Sequence, residues 1–168
     1  YLQLREYLQH VILRALFEQK DLPQLIFHGE TALRIIHGLN RFSEDLDFHL
    51  KESNETYSFT RVISRLRKNL ALQGYLTSDV VVKEKTVRST FIKFEGLLFE
   101  CGLTINEDEK LGIKIEVDAN PPLGWQVQRK LINVYLPFSL IHHDVPTFLS
   151  GKIHAILQRP YTKGRDFY

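Results

Sequence analysis

The segment over residues 27–48 constrains the fold of this chain more than any other part of the sequence. An apolar run at residues 25–27 comes shortly before Gly29, which predicts a buried strand followed by a tight turn. Residues 31–37 have the composition of a helix, and a glycine follows them as a stop signal. At residues 45–48 polar and apolar side chains alternate, which predicts a second strand with two aspartates on one face.

The two aspartates of this second strand, Asp45 and Asp47, predict a metal site. Carboxylates that face the same way repel each other, so a cation between them stabilises the arrangement. Hard oxygen ligands favour Mg²⁺ or Mn²⁺, and proteins typically bind Mg²⁺ through one or two carboxylates together with substrate phosphates. A helix that begins just after Gly29 directs its free N–H groups toward an anion. The segment therefore predicts a phosphate site beside a metal site, which is what nucleotide chemistry requires.

Length and composition limit the class of protein. At 168 residues, with 43% hydrophobic and 25% charged residues, the chain fits one soluble globular domain. The formal net charge of +2 gives no argument for a nucleic-acid partner, which only a local basic patch could support. The single cysteine excludes an internal disulfide and fits a cytoplasmic location. No run approaches the ~18 apolar residues of a membrane span, so no membrane partner is predicted. Because the chain begins at Tyr1 and has no methionine, we expect a truncated domain.

The rest of the chain contains further helical and strand patterns. Helices are predicted over residues 2–19, 56–73 and 146–158, and strands over residues 80–82 and 91–94, which pair, and over residues 112–118. Residues 97–105 are expected to be irregular or strand, with Cys101 as a small buried side chain. The second helix carries a basic group that is either a solvated face or a patch for RNA phosphates, namely Arg61, Arg65, Arg67 and Lys68.

The strand over residues 112–118 offers a third carboxylate. Its polar face carries Lys114, Glu116 and Asp118. If this strand lies beside Asp45 and Asp47, Asp118 completes a triad of acidic residues. The alternative is a strand-end aspartate before a proline turn. Near the end of the chain His142 and His143 are adjacent, and adjacent side chains point apart on a regular element, so we do not predict a metal site there.

The residues of the first segment also resemble a known family. Gly-x-Thr-Ala-Leu-Arg at residues 29–34, followed by Gly-Leu-x-Arg-Phe-Ser-Glu-Asp-Leu-Asp-Phe at residues 38–48, is similar to the AbiEii/AbiGii abortive-infection toxin family. That family is a branch of the DNA polymerase β-like nucleotidyltransferase superfamily. The resemblance resumes at residues 151–155 and 163–168. It implies an α/β (α+β) fold, in which a mixed β-sheet is flanked by helices.

The resemblance further implies a function. It predicts a Mg²⁺-dependent (or Mn²⁺-dependent) enzyme that moves a nucleoside monophosphate from a nucleoside triphosphate to an acceptor. Family members act as the toxin half of a toxin–antitoxin pair, and some modify tRNA. The partners that it implies are therefore a nucleoside triphosphate, tRNA and a cognate antitoxin.

Roles for individual residues follow from the same resemblance. Asp45, Asp47 and Asp118 would be catalytic metal ligands, and Asp118 would be the candidate general base for the attacking hydroxyl. Lys152 would be catalytic by neutralising triphosphate charge, although an exposed helix lysine is the structural alternative. Asp166 would be a polar pocket or orienting residue, and the alternative is a contact with Arg165 that stabilises a turn. The implied nucleotide-binding residues are Gly29, Glu30, Thr31, Arg34, Ser43, Lys152 and Asp166.

Glu30 departs from the family pattern, which usually has Gly or Ser directly after the first glycine. A carboxylate close to the triphosphate would repel the phosphates. Two alternatives to the enzyme therefore stay open at this point. The first is a catalytically degenerate module that binds nucleotide, RNA or an antitoxin without turnover. The second is a cation-stabilised scaffold whose carboxylates serve folding alone.

Overall fold

A mixed β-sheet, seven-stranded over the described residues, forms the centre of the computed structural model of this protein. The structure describes residues 1–19, 25–51, 57–84, 87–121 and 124–158, with the backbone alone at 79–84, 155 and 158. The strands are β1 (Leu25–His28), β2 (Asp45–Leu50), β3 (Thr77–Glu84), β4 (Val87–Phe94), β5 (Leu111–Asp118), β6 (Val127–Ile132) and β7 (Phe138–His143). The helices are α1 (Leu2–Phe17), α2 (Gly29–His37), α3 (Phe59–Leu72), α4 (Leu97–Glu100) and α5 (Val145–Gln158).

The strands lie in the order β3-β4-β5-β2-β1-β7-β6. The pairs β2–β5 and β1–β7 are parallel, and the other neighbours in the sheet are antiparallel. The predicted α/β fold with a mixed, helix-flanked sheet is confirmed. β1 and β2, which hold the first segment of the sequence, lie in the interior of the sheet, where neighbouring strands pair with both edges of each.

The apolar alternation of the central strands decides which sheet face meets the helices. Along β2 the side chains alternate between half-buried and buried, and β5 shows the same alternation. The buried set packs with the helices in one core, whose members include Leu8, Ile12, Leu16, Phe27, Leu46, Phe48, Leu66, Ile113 and Ile115. Burial of this apolar face is the main stabilising term. The polar side chains of both strands consequently lie on the opposite face.

The structure shortens two of the predicted helices. α1 ends at Phe17, two residues before the predicted end. α3 begins at Phe59 instead of residue 56, because the Ser58 hydroxyl accepts a hydrogen bond from the Arg61 N–H at 3.2 Å and so caps the helix. Residues 52–56 lie outside the described residues. Among the helices that the structure describes, none is long and apolar enough to cross a membrane.

Residues 97–105 were expected to be irregular or strand, and the structure corrects this prediction at residues 97–100, which form the short helix α4. Residues 101–105 are irregular. Gly96 and Gly102 both have positive φ, which lets the backbone turn in and out of one helical turn. Cys101 is the C-cap of this helix and is exposed, so its predicted burial was wrong. β6 and β7 were not predicted as strands, and the exposed charges of the edge strand β6 hide the usual alternation.

Candidate active site

Asp45 and Asp47 form the centre of the candidate site. Both are half-buried on β2, and the Leu46 and Phe48 side chains between and beyond them are fully buried in the core. The predicted shared face of the two carboxylates is therefore observed. Neighbouring strands hold β2 on both sides, so the backbone that carries these carboxylates is rigidly fixed.

Gly29 brings the backbone of the turn directly against one of these carboxylates. The turn residue has φ +78, and a Cβ atom at this position would lie 2.2 Å from Oδ2 of Asp47. The preceding residue, His28, is the register partner of Asp47 across the β1–β2 pair. The N-terminus of α2 thus lies beside the carboxylate pair, and the phosphate and metal sites themselves stay predictions.

Thr31 joins α2 to the strand that carries the carboxylates. Its side chain is buried, and its hydroxyl donates a hydrogen bond to the backbone carbonyl of Asp45. This contact fixes the first turn of α2 against the start of β2. The predicted nucleotide contact of Thr31 stays a prediction.

Arg34 and Ser43 stabilise the loop from α2 to β2. The Arg34 Nε lies 2.6 Å from Oε2 of Glu6 on α1, and its guanidinium lies 4.4 Å from the centre of the Phe42 ring. The carbonyl of Ser43 accepts a hydrogen bond of 2.9 Å from Nε2 of Gln9. Both predicted nucleotide-binding residues therefore have contacts that hold the loop, and their contact with nucleotide stays a prediction.

Glu30 has a cationic partner within the same motif. Its carboxylate, in the first turn of α2, forms an ion pair with Nη2 of Arg41. A guanidinium in this position offsets part of the negative charge that the sequence alone placed beside the phosphate site. No pattern in the sequence predicts this pair, because only the folded loop brings residues 30 and 41 together.

The register of β5 decides which polar residues lie beside the aspartates. In the parallel β2–β5 pair, Asp45 is opposite Lys114 and Asp47 is opposite Glu116. Asp118 is opposite His49, two residues or about 6.6 Å further along the strand. Its Oδ1 accepts a hydrogen bond of 2.9 Å from the Asn120 N–H, as the strand-end alternative predicts. Asp118 shares the site face, and its role as a metal ligand and base stays a prediction.

Lys114 and Glu116 are site residues that sequence analysis did not single out. The Lys114 Nζ lies 2.7 Å from Oε1 of Glu116, and both side chains are about 70% buried (29% and 28% exposed). The hydrogen bond to Glu116, together with the charges of Glu116, Asp45 and Asp47, raises the pKa of Lys114. The signal that could have found them is the alternation of β5, which already put both on the face of Asp118.

Three histidine side chains meet further along the same face. The ring centres of His28 and His49 are 3.8 Å apart, and Nδ1 of His49 lies 2.9 Å from Nε2 of His143. Burial, and then the neighbouring imidazoles, lower the pKa of His28 and His49, the latter to about 4. Burial also lowers the pKa of His143. His142 belongs to the other face, where its ring lies 6.0 Å from that of His37.

The metal-binding capacity of the site depends on the carboxylate pair. Over the residues that the structure describes, no group of three or more His, Cys, Asp or Glu side chains is arranged to hold a metal ion. Asp45 and Asp47 nevertheless fit Mg²⁺ or Mn²⁺, because such ions accept two carboxylates and take their other ligands from substrate phosphates and water. The close approach of the Gly29 backbone to the Asp47 carboxylate would also bring phosphates bound at the start of α2 near such an ion.

The remaining predicted residues lie on the helices. Lys152 is half-buried on α5, one turn after Phe148, whose ring centre is 6.2 Å from that of His143. Asp166 lies outside the described residues. In the basic group on α3, Nη2 of Arg67 donates to the Thr77 carbonyl at 3.0 Å, whereas Arg61 and Lys68 are exposed. The RNA-patch alternative on α3 stays open.

Comparisons with known proteins identify a family for this chain and similar folds among solved structures. The family model described as "Nucleotidyl transferase AbiEii toxin, Type IV TA system" matches residues 11–168. A structure from H. pylori, provisionally described as a nucleotidyltransferase, superposes with a TM-score of 0.63 at 22% identity. The structure of JHP933 from Helicobacter pylori superposes with a TM-score of 0.61 at 19% identity. Each covers 98% of this chain, whereas this chain spans only 64% and 62% of theirs. No curated protein sequence matches this chain.

Proposed function

Because this chain belongs to the AbiEii nucleotidyl transferase toxin family of type IV toxin–antitoxin systems, we propose that it transfers a nucleoside monophosphate from a nucleoside triphosphate to tRNA. The observation that carries the proposal is the contact between the Gly29 turn and the Asp47 carboxylate. It joins a helix N-terminus, which suits phosphates, to a carboxylate pair, which suits a divalent metal. A cytoplasmic location and a cognate antitoxin are parts of the same proposal.

Asp45 and Asp47 are the residues that would hold Mg²⁺ or Mn²⁺. When bound, the metal would neutralise triphosphate charge and make the acceptor hydroxyl more acidic. The N–H groups at the start of α2 would receive the phosphates, and the Arg41 guanidinium beside Glu30 reduces the repulsion from that carboxylate. Lys152 would add a further positive charge near the triphosphate.

The acceptor would approach from the side of β5. Its hydroxyl oxygen would attack the α-phosphorus, a new P–O bond would form, and pyrophosphate would leave. Asp118, at the far end of the same face, would accept the hydroxyl proton. In this proposal the chain contributes mainly position and electrostatic stabilisation, which are the largest sources of rate enhancement for phosphoryl-type transfers.

The test is transfer of label from each of four α-labelled nucleoside triphosphates to total RNA in the presence of Mg²⁺. We expect the full chain to label a tRNA-sized band with one nucleotide in preference to the others. The double variant Asp45→Asn, Asp47→Asn should lose at least about 100-fold of the rate. Asp108→Asn, an exposed acid-to-amide change away from the site, serves as the matched control. Equal labelling by the double variant, or no labelling by folded wild-type protein, would contradict the proposal.

A second candidate function is the degenerate binding module, which Glu30 in the first turn of α2 favours. In the same assay Glu30→Gly separates the two functions. A large gain of activity over a nearly inactive wild-type protein would mean that Glu30 suppresses transfer. Activity of the wild-type protein without a gain in the variant would exclude this second candidate.

A further inference from the structure

Lys114 lies beside the two aspartates on the site face, although no motif of the sequence marks it. It lies directly opposite Asp45 in the parallel β2–β5 register, and Glu116, two residues later on β5, lies opposite Asp47. Its ammonium group contacts Glu116 at 2.7 Å. A positive charge therefore lies on the same sheet face as the acidic side chains that would hold the proposed metal.

The positive charge of Lys114 offsets the negative charge of the neighbouring carboxylates. The carboxylates of Asp45, Asp47 and Glu116 occupy neighbouring positions on two paired strands of one sheet face. Without a cation, this arrangement would be repulsive. The hydrogen bond to Glu116 is the main cause that raises the pKa of Lys114, and the charges of Asp45 and Asp47 add to it.

Rearrangement of this side chain is chemically simple. A lysine carries its charge as a compact ammonium group on a flexible four-carbon stem, whereas an arginine would hold a carboxylate through a fixed two-pronged contact. Lys114 is also 29% exposed, so its end has room to move toward the open side of the site. A divalent ion between Asp45 and Asp47 would repel the ammonium group, and triphosphate oxygens would attract it.

We propose that Lys114 is an internal counter-ion of the carboxylate site, which competes with the divalent metal and then contacts the phosphates of the bound nucleotide. The inference rests on the proposed function and deepens it, because it assigns a phosphate-binding residue and a metal-loading order. In the absence of metal Lys114 holds the acidic residues together. When metal and nucleotide bind, the lysine exchanges its carboxylate contact for a phosphate contact.

The experiment is a titration of the protein with Mn²⁺ alone, in which electron paramagnetic resonance measures the concentration of the free ion. We expect Lys114→Gln to bind Mn²⁺ up to about tenfold more tightly than wild type, because the competing positive charge is gone. The matched control is Lys110→Gln. Lys110 lies just before β5 and also contacts a glutamate, Glu95, at 2.7 Å, whereas Asp45 is paired with Lys114. Its replacement should leave Mn²⁺ affinity unchanged.

The opposite effect is expected with nucleotide present. In saturating Mn²⁺, Lys114→Gln should bind a non-hydrolysable nucleoside triphosphate several-fold more weakly than wild type, and Lys114→Arg should recover part of the loss. If Lys114 were purely structural, its replacement would not increase the affinity for Mn²⁺ and decrease the affinity for the nucleotide. In the presence of a chelator, Lys114→Gln should have a lower Tm than wild type. Added Mg²⁺ should raise the Tm of the variant by more than it raises the Tm of wild type.

The outcomes separate this inference from the proposed function. Loss of Mn²⁺ binding in Asp47→Asn, with no tightening in Lys114→Gln, would overturn the inference and leave the metal site intact. Tighter Mn²⁺ binding without weaker nucleotide binding would overturn the phosphate contact. Absence of Mn²⁺ binding in wild type and in Lys114→Gln would overturn both the metal-dependent function and the inference.

Discussion

At the scale of single residues, Gly29 connects the backbone to the chemistry of the site. Two separate constraints require glycine there. The residue has a positive φ, and a Cβ atom would clash with the Asp47 carboxylate. Gly38, at the other end of α2, has φ +72, but a Cβ atom added there would meet nothing within 4 Å, so only the first constraint applies to it. The two glycines therefore form a natural pair for comparison.

We expect Gly29→Ala to lower the free energy of unfolding by about 3 kcal/mol, because backbone strain and a clash with Asp47 add together. Gly38→Ala should cost only about 1 kcal/mol. Urea denaturation measures both, and Mn²⁺ titration should show weaker binding in the first variant alone. Equal losses of stability in the two variants would argue against a close approach of Gly29 to the carboxylate.

At the scale of elements, α3 is stabilised by packing on one face and by a cap at its start. Its buried positions, Val62, Ile63, Leu66 and Leu70, recur with helical spacing and join the core beneath the sheet. Ser58 satisfies one of the N–H groups that the first turn leaves without a helical partner. The helix lies on the core side, away from the carboxylate face.

Ser58→Ala should therefore lower the free energy of unfolding by about 1 kcal/mol, whereas Ser58→Gly should lower it by only about 0.3 kcal/mol. Ser64→Ala, at an exposed position within the same helix, provides the control and should change stability by less than about 0.5 kcal/mol. Chemical denaturation followed by circular dichroism measures all three variants. A neutral Ser58→Ala variant would show that packing alone fixes the start of α3.

At the scale of the whole molecule, the contact of His28, His49 and His143 joins β1, β2 and β7 on the site face. The pKa values of all three imidazoles are lowered in the folded protein, so they are neutral near pH 7. In the unfolded chain each histidine would take up a proton near its ordinary pKa of about 6.5. The unfolded state therefore binds more protons than the folded state below that pH.

Stability should consequently decrease as the pH falls from about 6.5 toward 4, and it should be insensitive to these groups above pH 7. His49 alone, with its pKa lowered to about 4, should account for a loss on the order of 3 kcal/mol at pH 4. Urea denaturation at several pH values measures the slope, and His49→Gln should reduce it. A free energy of unfolding that stays constant between pH 7 and pH 5 would contradict the burial of neutral imidazoles.

Features that depend on neighbours along the chain could be predicted from the order of the amino acids. The alternation at residues 45–48, and the glycine between an apolar run and a helical segment, specified β1, the turn, α2 and β2. These are local because side-chain direction repeats every two residues in a strand and every 3.6 in a helix. At residues 97–105 the same reasoning failed, because one helical turn between two glycines is too short to show a period.

The residues that surround the two aspartates could not be predicted in this way, because they come from distant parts of the chain. The alternation of β5 fixed the face of Lys114, Glu116 and Asp118, yet a shift of the strand by two residues preserves that face and changes every partner. The register, set by packing between segments more than sixty residues apart, brought Lys114 opposite Asp45 and Glu116 opposite Asp47. The pairing of Glu30 with Arg41 and the histidine contact likewise depend on the folded chain, because no local pattern determines distances between separate elements.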